Sequence, residues 1–271
     1  MMATLDIFGA TDPGCVRPNN EDNFAVDAEL GLLVVADGLG GHNSGEVASE
    51  LATKTIHDFA RQMLGGPRAL VPEGGDPSRS ARARQLEHFV KTANTVIFEK
   101  ARAFPKDAGM STTVVAALAD ERSLTVAHVG DSRAYLFHNG RLQPVTEDHS
   151  LVGDQVKRGL ISLAEASKSS LQNILTRALG AEQDVLVDVS EHPLFPGDVV
   201  LLASDGLMKM VEDDAVARTV ATEASSRAIV ESLIAQAKAA GGVDNVTIVA
   251  ARVPADGGGA LKGLVSRIFG R

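Results

Sequence analysis

TTVVAALADERSLTVAHVGDSRAYLFHNG, residues 112–140, is the stretch on which the fold reading turns. Three β-like segments (112–118, 123–129 and 133–137), built mainly of apolar, β-branched or aromatic residues, follow one another with only short gaps, as at Ala119-Asp120-Glu121-Arg122, and Asn139-Gly140 closes the run. Gaps of that size hold a turn but no crossover helix, so the segments predict antiparallel hairpins and not alternating βαβ units. Outward from this core, residues 23–26, 31–36, 185–189, 199–203 and 246–251 read as further strands.

Three segments carry helical periodicity. Val47, Leu51, Ile56, Phe59 and Met63 recur on one face, with Asn43 and Glu46 spaced as a capping box. A second helix is predicted over 82–103, and a third over 226–240, ended by Gly241-Gly242. Residues 65–80 form a Gly-, Pro- and Arg-rich loop, and 150–175 read as short helical pieces broken at Gly159. Many short strands with a few long helices predict an α+β sandwich.

Composition narrows function. The 271 residues carry 35 acidic against 26 basic side chains, a net charge of −9, and no long Lys/Arg run, which argues against a nucleic-acid partner. Trp is absent and Tyr135 is the single tyrosine, so base-stacking platforms are not expected. Cys15 is the only cysteine, which excludes an internal disulfide and a thiolate zinc cluster; it reads as a partly buried small residue. The start has no basic and apolar leader, and no apolar run reaches the roughly 20 residues of a membrane span. A cytoplasmic protein is predicted.

Acids stand where predicted strands stop or start: Asp37, Asp131 and Asp205 after strands, Glu21-Asp22 before one, and Asp244-Asn245 between the third helix and the last strand. Each alone fits a turn, since Asp and Asn are favoured there. Together they have a second reading, because the strand ends of a sandwich gather at its rims, and several carboxylates at one rim demand protonation or a cation. Oxygen-only ligands favour hard cations such as Mg2+ or Mn2+.

Eight blocks then carry a resemblance: Arg17-Pro18-Asn19-Asn20-Glu21-Asp22, Val35-Ala36-Asp37-Gly38-Leu39-Gly40-Gly41-His42, Ser111-Thr112-Thr113, Val129-Gly130-Asp131-Ser132-Arg133, Thr146-Glu147-Asp148-His149-Ser150, Leu175-Thr176-Arg177-Ala178-Leu179-Gly180, Ser204-Asp205-Gly206 and Asp244-Asn245-Val246-Thr247. In this order they resemble the bacterial PP2C-type (PPM) metal-dependent Ser/Thr protein phosphatases. The resemblance implies a four-layer αββα sandwich, two antiparallel sheets flanked by helices, with the metal site at one rim between the sheets. It implies two Mn2+ or Mg2+ ions per site and a third, weaker one. Asp37 would bridge the two metals and Gly38 would lend its carbonyl. Glu21 would hold one ion, partly through water, and Asp205 with Asp244 the other; Asp22 and Asp131 would serve metal-bound water and the third cation. Arg17 would clamp the substrate phosphate. Phosphate-monoester hydrolysis is slow enough to need enzymatic accelerations up to ~10²¹, beyond a lone general base, so metal assistance is chemically reasonable.

The chain departs from that family at three places. Leu39 stands where many eukaryotic members carry a histidine, leaving His42 as a displaced candidate for the general acid. Ser111 replaces a usual glycine, and Ser169-Ser170-Leu171-Gln172-Asn173 replaces a motif frequent in the segment bordering the site. His128 reads as a satisfied core histidine, and Arg133 and Arg177 as structural partners of acids. The expected organisation is a phosphatase domain over 1–253, with a flap at about 148–175, followed by a linker and a short amphipathic tail over 254–271. The implied activity is hydrolysis of phosphoserine and phosphothreonine in proteins by a monomer opposing a Ser/Thr kinase. A non-catalytic relative that only binds, and a hydrolase of small phosphoesters with a deeper pocket, are the competing readings.

Overall fold

The computed structural model describes residues 5–255 apart from 41–43, 67–68, 73–75, 163–164, 166–168, 170 and 172–173. Strand β1 (Asp6–Asp12) precedes β2 (Asp22–Asp27) and β3 (Leu32–Leu39), followed by helices α1 (Ser44–Leu64) and α2 (Ala81–Ala103). The central run gives β4 (Ser111–Thr112), β5 (Val114–Ala119), β6 (Ser123–Val129), β7 (Arg133–His138) and β8 (Arg141–Pro144). Helix α3 (Leu151–Lys157), β9 (Asp188–Pro193), β10 (Val199–Ala203), α4 (Asp205–Met208), α5 (Asp213–Thr222), α6 (Ser226–Ala239) and β11 (Val246–Arg252) complete the order.

Two antiparallel sheets result, one in the order β1-β11-β10-β7-β8 and the other β2-β3-β5-β6-β9, with β4 paired to β3. The central run is therefore two hairpins belonging to different sheets. Asp120 closes the first by accepting from the Arg122 and Ser123 amides. Asn139 and Gly140 close the second with φ of 49° and 77°, the paired positive values of a type I′ turn. Between the hairpins, Gly130 at φ +107° carries the chain from one sheet to the other, where a Cβ would strike the Thr113 side chain.

Side-chain parity sorts the core into three apolar layers. On β3, Leu32, Val34 and Ala36 pack against α1 and α2, whereas Leu33 and Val35 face the other sheet. That inter-sheet layer takes Val115 and Ala117 from β5, Val200 and Leu202 from β10, and Val249 and Ala251 from β11. Leu201, Ile248 and Ala250 face outward onto α5 and α6, with Val216, Val220, Ile229 and Leu233. Because side chains alternate with period two, the residues that extend the inward rows past the apolar layer are Asp37, Asp22, Thr113, Ser204 and Thr247. They are mostly polar and sit at one rim. The fold thus delivers acids to a dry interface edge as a consequence of strand register.

Several local expectations change. The strand expected over 185–189 is instead Asp188–Pro193, and β1, β8, α4 and α5 were not anticipated. Cys15 is exposed, not partly buried. The pair Gly241-Gly242 closes α6 as expected: their amides donate to Lys238 O (3.1 Å) and Ala237 O (3.0 Å), the bonding of a Schellman motif. Asn43 and His42, and the amphipathic run 261–268, lie outside the described residues.

Candidate active site

At the rim between the sheets, a cavity of about 380 Å³ is lined by Arg17, Glu21, Asp37, Gly38, Asp131, Asp205, Lys209 and Asp244, among others. Asp22 lies beneath it, only 6% exposed. All eight residues singled out in the sequence are therefore gathered in or directly under one cleft. Leu175, the last residue of the expected flap, also lines it.

Short backbone contacts hold the acids in place. Glu21 O accepts from the Gly38 amide (3.1 Å) and from Ser49 Oγ of α1 (2.6 Å), joining the Glu21 loop to the end of β3 and to the helix. Gly38 is required there: a Cβ would run into the Gly45 and Glu21 carbonyls. The Asp37 amide donates to Thr113 Oγ1 (3.1 Å), and Asp37 O accepts from Thr112 Oγ1 (2.7 Å). Asn245 ties the remaining loop down, because its Oδ1 accepts from the Glu21 amide (2.9 Å) while its Nδ2 donates to Pro13 O (3.1 Å) and Asn19 O (2.9 Å). Ser204 donates to Asp22 Oδ2 (2.7 Å) and accepts from the Thr247 amide (3.0 Å), coupling β10, β11 and β2.

Electrostatics is dominated by crowding of like charge in a dry place. Burial first, then the charges of Asp22, Asp205, Asp131 and Asp244, push Asp37 well above the usual carboxylate range. Burial pushes Asp22 up to about 7 against the hydrogen bond from Ser204, with Asp205 and Asp244 adding to the rise. Burial and the charges of Asp205 and Asp148 also push Asp131 up to about 7. Burial raises Glu21 and Asp205 as well. Asp244 goes the other way: burial would raise it, but Lys209 and Arg17 outweigh that and hold it below its ordinary value.

The two bases both serve Asp244. Arg17 grips it bidentately, Nε to Oδ1 at 2.9 Å and Nη2 to Oδ2 at 3.1 Å. Lys209 Nζ lies 2.8 Å from Asp244 Oδ2 and 2.6 Å from Asp205 Oδ2. Lys209 was missed in the sequence, although it stands four residues after Asp205, the spacing that one helical turn brings together. Among the described residues lining the cleft there is no histidine.

This donor set suits a hard divalent cation. With every carboxylate ionised, six of them against two bases would leave a formal charge of −4, which two divalent ions would neutralise. Asp22 Oδ1 is moreover buried with no hydrogen-bond partner, a costly arrangement for a carboxylate oxygen unless it has a cation or ordered water beside it. No cysteine is among the described residues that line the cleft, so soft metals find no preference there.

A second constellation, His128, His149 and Asp188, has ligand atoms within 4.8 Å of one another. Its hydrogen bonds argue against metal. His149 Nδ1 accepts from the Gly130 amide (3.1 Å), so the neutral ring carries its proton on Nε2, 3.3 Å from Asp188 Oδ2, and that nitrogen has no lone pair for an ion. His128 Nε2 is 2.8 Å from Glu147 O, its ring stacked on His149, as a satisfied core histidine. Arg177 pairs with Asp188 at 2.7 Å and Arg133 with Asp148 through two contacts of 2.8 Å, the structural roles expected of them.

A four-layer sandwich with an acid-lined rim cleft is a scaffold shared with known proteins. The sequence profile of the protein phosphatase 2C family matches residues 17–240. The serine/threonine phosphatase stp of Listeria welshimeri is 35% identical over 246 residues, covering 88% of this chain and 92% of that protein. The crystal structure of the Mycobacterium tuberculosis serine/threonine phosphatase PstP/Ppp is similar with a TM-score of 0.82 at 32% identity, covering 93% of this chain and all (100%) of that one. A crystal structure of the PstP catalytic domain in complex with two manganese ions gives 0.77 at 32% identity, covering 92% and 98%. The chain belongs to the protein phosphatase 2C family, among its bacterial members.

Proposed function

We propose that the rim cleft hydrolyses phosphoserine and phosphothreonine in protein substrates with two divalent cations, Mn2+ or Mg2+, held by Asp37, the Gly38 carbonyl, Glu21, Asp205 and Asp244. The chain is a metal-dependent serine/threonine phosphatase by family; the assignment of individual residues is the proposal. The observation that carries it is the convergence of six carboxylates from five segments on one cleft that holds only two bases. The manganese in the PstP structure supports the choice of metal. Asp22 and Asp131, both near pKa 7, suit a weaker third site and proton transfer to and from water.

Cations bound there supply Lewis acidity, lowering the pKa of water and neutralising charge on the phosphoryl oxygens. The protein supplies the rest. Asp37, fixed by Thr112 and Thr113, holds its carboxylate at the centre of the rim. Arg17, half-exposed at the mouth, has the planar fork that matches two phosphoryl oxygens; that fork is now paired with Asp244 and would have to exchange this carboxylate for the phosphate. Leu175, the last residue of the expected flap, lines the cleft and would border a bound peptide. A substrate phosphate on Ser or Thr requires a kinase upstream, so the proposed cellular context is opposition to a Ser/Thr kinase, by a monomer in the cytoplasm, consistent with one unpaired cysteine.

The test is turnover of a phosphopeptide and of an aryl phosphate with Mn2+ and with EDTA. Hydrolysis of both in Mn2+ and none in EDTA is expected. No turnover of either in Mn2+ would assign the chain to binding alone, and hydrolysis of the aryl phosphate without the phosphopeptide would overturn the protein substrate.

A further inference from the structure

Helix α4 is a single turn whose closing residue is Lys209, held by its amide to Asp205 O at 2.9 Å. From there the side chain folds back along the turn. One ammonium lies 2.6 Å from Asp205 Oδ2 and 2.8 Å from Asp244 Oδ2, bridging carboxylates that come from different segments, one at the end of β10 and one after α6. These are the carboxylates assigned above to one divalent cation, and the role of Lys209 rests on that assignment.

A divalent ion binds carboxylate oxygens at about 2.0–2.6 Å and needs their lone pairs facing it. An ammonium touching the same two Oδ2 atoms stands in that space, and two cations cannot share it without strong repulsion. Lys209 is tethered, so its local concentration is fixed and dilution does not remove it. We infer that Lys209 is a built-in competitor for the divalent cation at the Asp205–Asp244 edge, and that a metal ion binding there displaces its ammonium. The same contact has a second effect. With its positive charge between two acids, Lys209 offsets their repulsion whenever the edge lacks metal, so the chain keeps its fold over a wide range of metal concentration. The metal requirement is thereby set by a residue that is not itself a ligand.

The test is Mn2+ binding, read by electron paramagnetic resonance of the free ion at equilibrium, on the full chain and on Lys209→Met, Lys209→Gln and Lys209→Arg. Side-chain exposure of 31% leaves room for each substitution. Loss of the charge in Lys209→Met and Lys209→Gln is expected to tighten the weaker Mn2+ site by about tenfold or more, the order that loss of a charge-assisted pair implies. Lys209→Arg keeps the cation and is expected to stay within about threefold of the parent. Thermal unfolding in EDTA gives an independent reading: the two neutral variants should melt lower than the parent without metal and gain more from Mn2+. Equal Mn2+ affinities in parent and neutral variants would overturn the competition while leaving the metal site standing. Absence of Mn2+ binding in every form would overturn the proposed metal site and this inference with it.

Discussion

Asp22 and Asp37 are direct cross-strand partners in the β2–β3 ladder. Like charges placed opposite each other destabilise a sheet, and here the pair stands at a dry edge, which compounds the cost. In the metal-free protein burial first, then the charges of neighbouring acids, raises both pKa values, Asp22 to about 7. A cation arriving there must expel those protons. Titrating Mn2+ into metal-free protein near pH 7 should therefore release protons, seen as calorimetric enthalpies that differ between buffers of different ionisation heat. Enthalpies independent of buffer would contradict the raised pKa values.

Asp37→Asn and Asp205→Asn each remove a charge on which the proposed metal site depends. Loss of phosphopeptide turnover by about 10³-fold or more is expected, equivalent to ~4 kcal/mol of transition-state stabilisation. Far-UV circular dichroism should be unchanged, because relieving carboxylate repulsion does not unfold a site. Near-parental rates in either variant would remove that residue from the reaction.

Gly206 sits where a Cβ would run into the carbonyl of Asn245, the residue that ties the Glu21 loop to the cleft. Gly206→Ala should cost about 1–3 kcal/mol in urea unfolding, the range for forced overpacking, and weaken Mn2+ binding as Asn245 shifts. An unchanged midpoint and unchanged binding would show that this contact positions nothing.

His149 makes stability depend on acid. Burial first, then the positive potential of His128 and Arg177, holds its pKa down to about 4 against an ordinary 6.5. The unfolded chain thus takes up a proton below pH 6.5 that the native site refuses until about pH 4, so stability falls as the pH drops through that window. The contribution is at most about 3 kcal/mol at 1.36 kcal/mol per pKa unit. Urea unfolding at about pH 7 and about pH 4.5, on either side of most of that window, should show a smaller loss for His149→Gln than for the parent. Equal losses would contradict the assignment.

Legibility in the sequence followed physical strength of signal. The inter-sheet strands are continuous apolar runs, so residues 199–203 appear as a strand in both sequence and structure. Strand β1 is interrupted by Gly9, whose missing side chain makes room for the Phe24 ring, and β8 is polar and ends in Pro144, as an edge strand tolerates. Neither looks like a strand locally. Helix α4 was hidden because Gly206 opposes helix formation, and without that turn Lys209 has no visible relation to Asp205. The acids were legible as a set, since each marks a strand end. Their side of the sheet was not: Leu32–Leu39 is buried on both faces up to Ala36, so no alternation of polarity tells which face Asp37 takes.

The most direct measurement is anomalous diffraction from crystals grown or soaked in Mn2+. Two peaks are expected in the rim cleft, within ligand distance of Asp37 and shared between Glu21 on one side and Asp205 with Asp244 on the other. A cleft without manganese at saturating concentration, or ions bound instead at His128, His149 and Asp188, would contradict the proposed metal site.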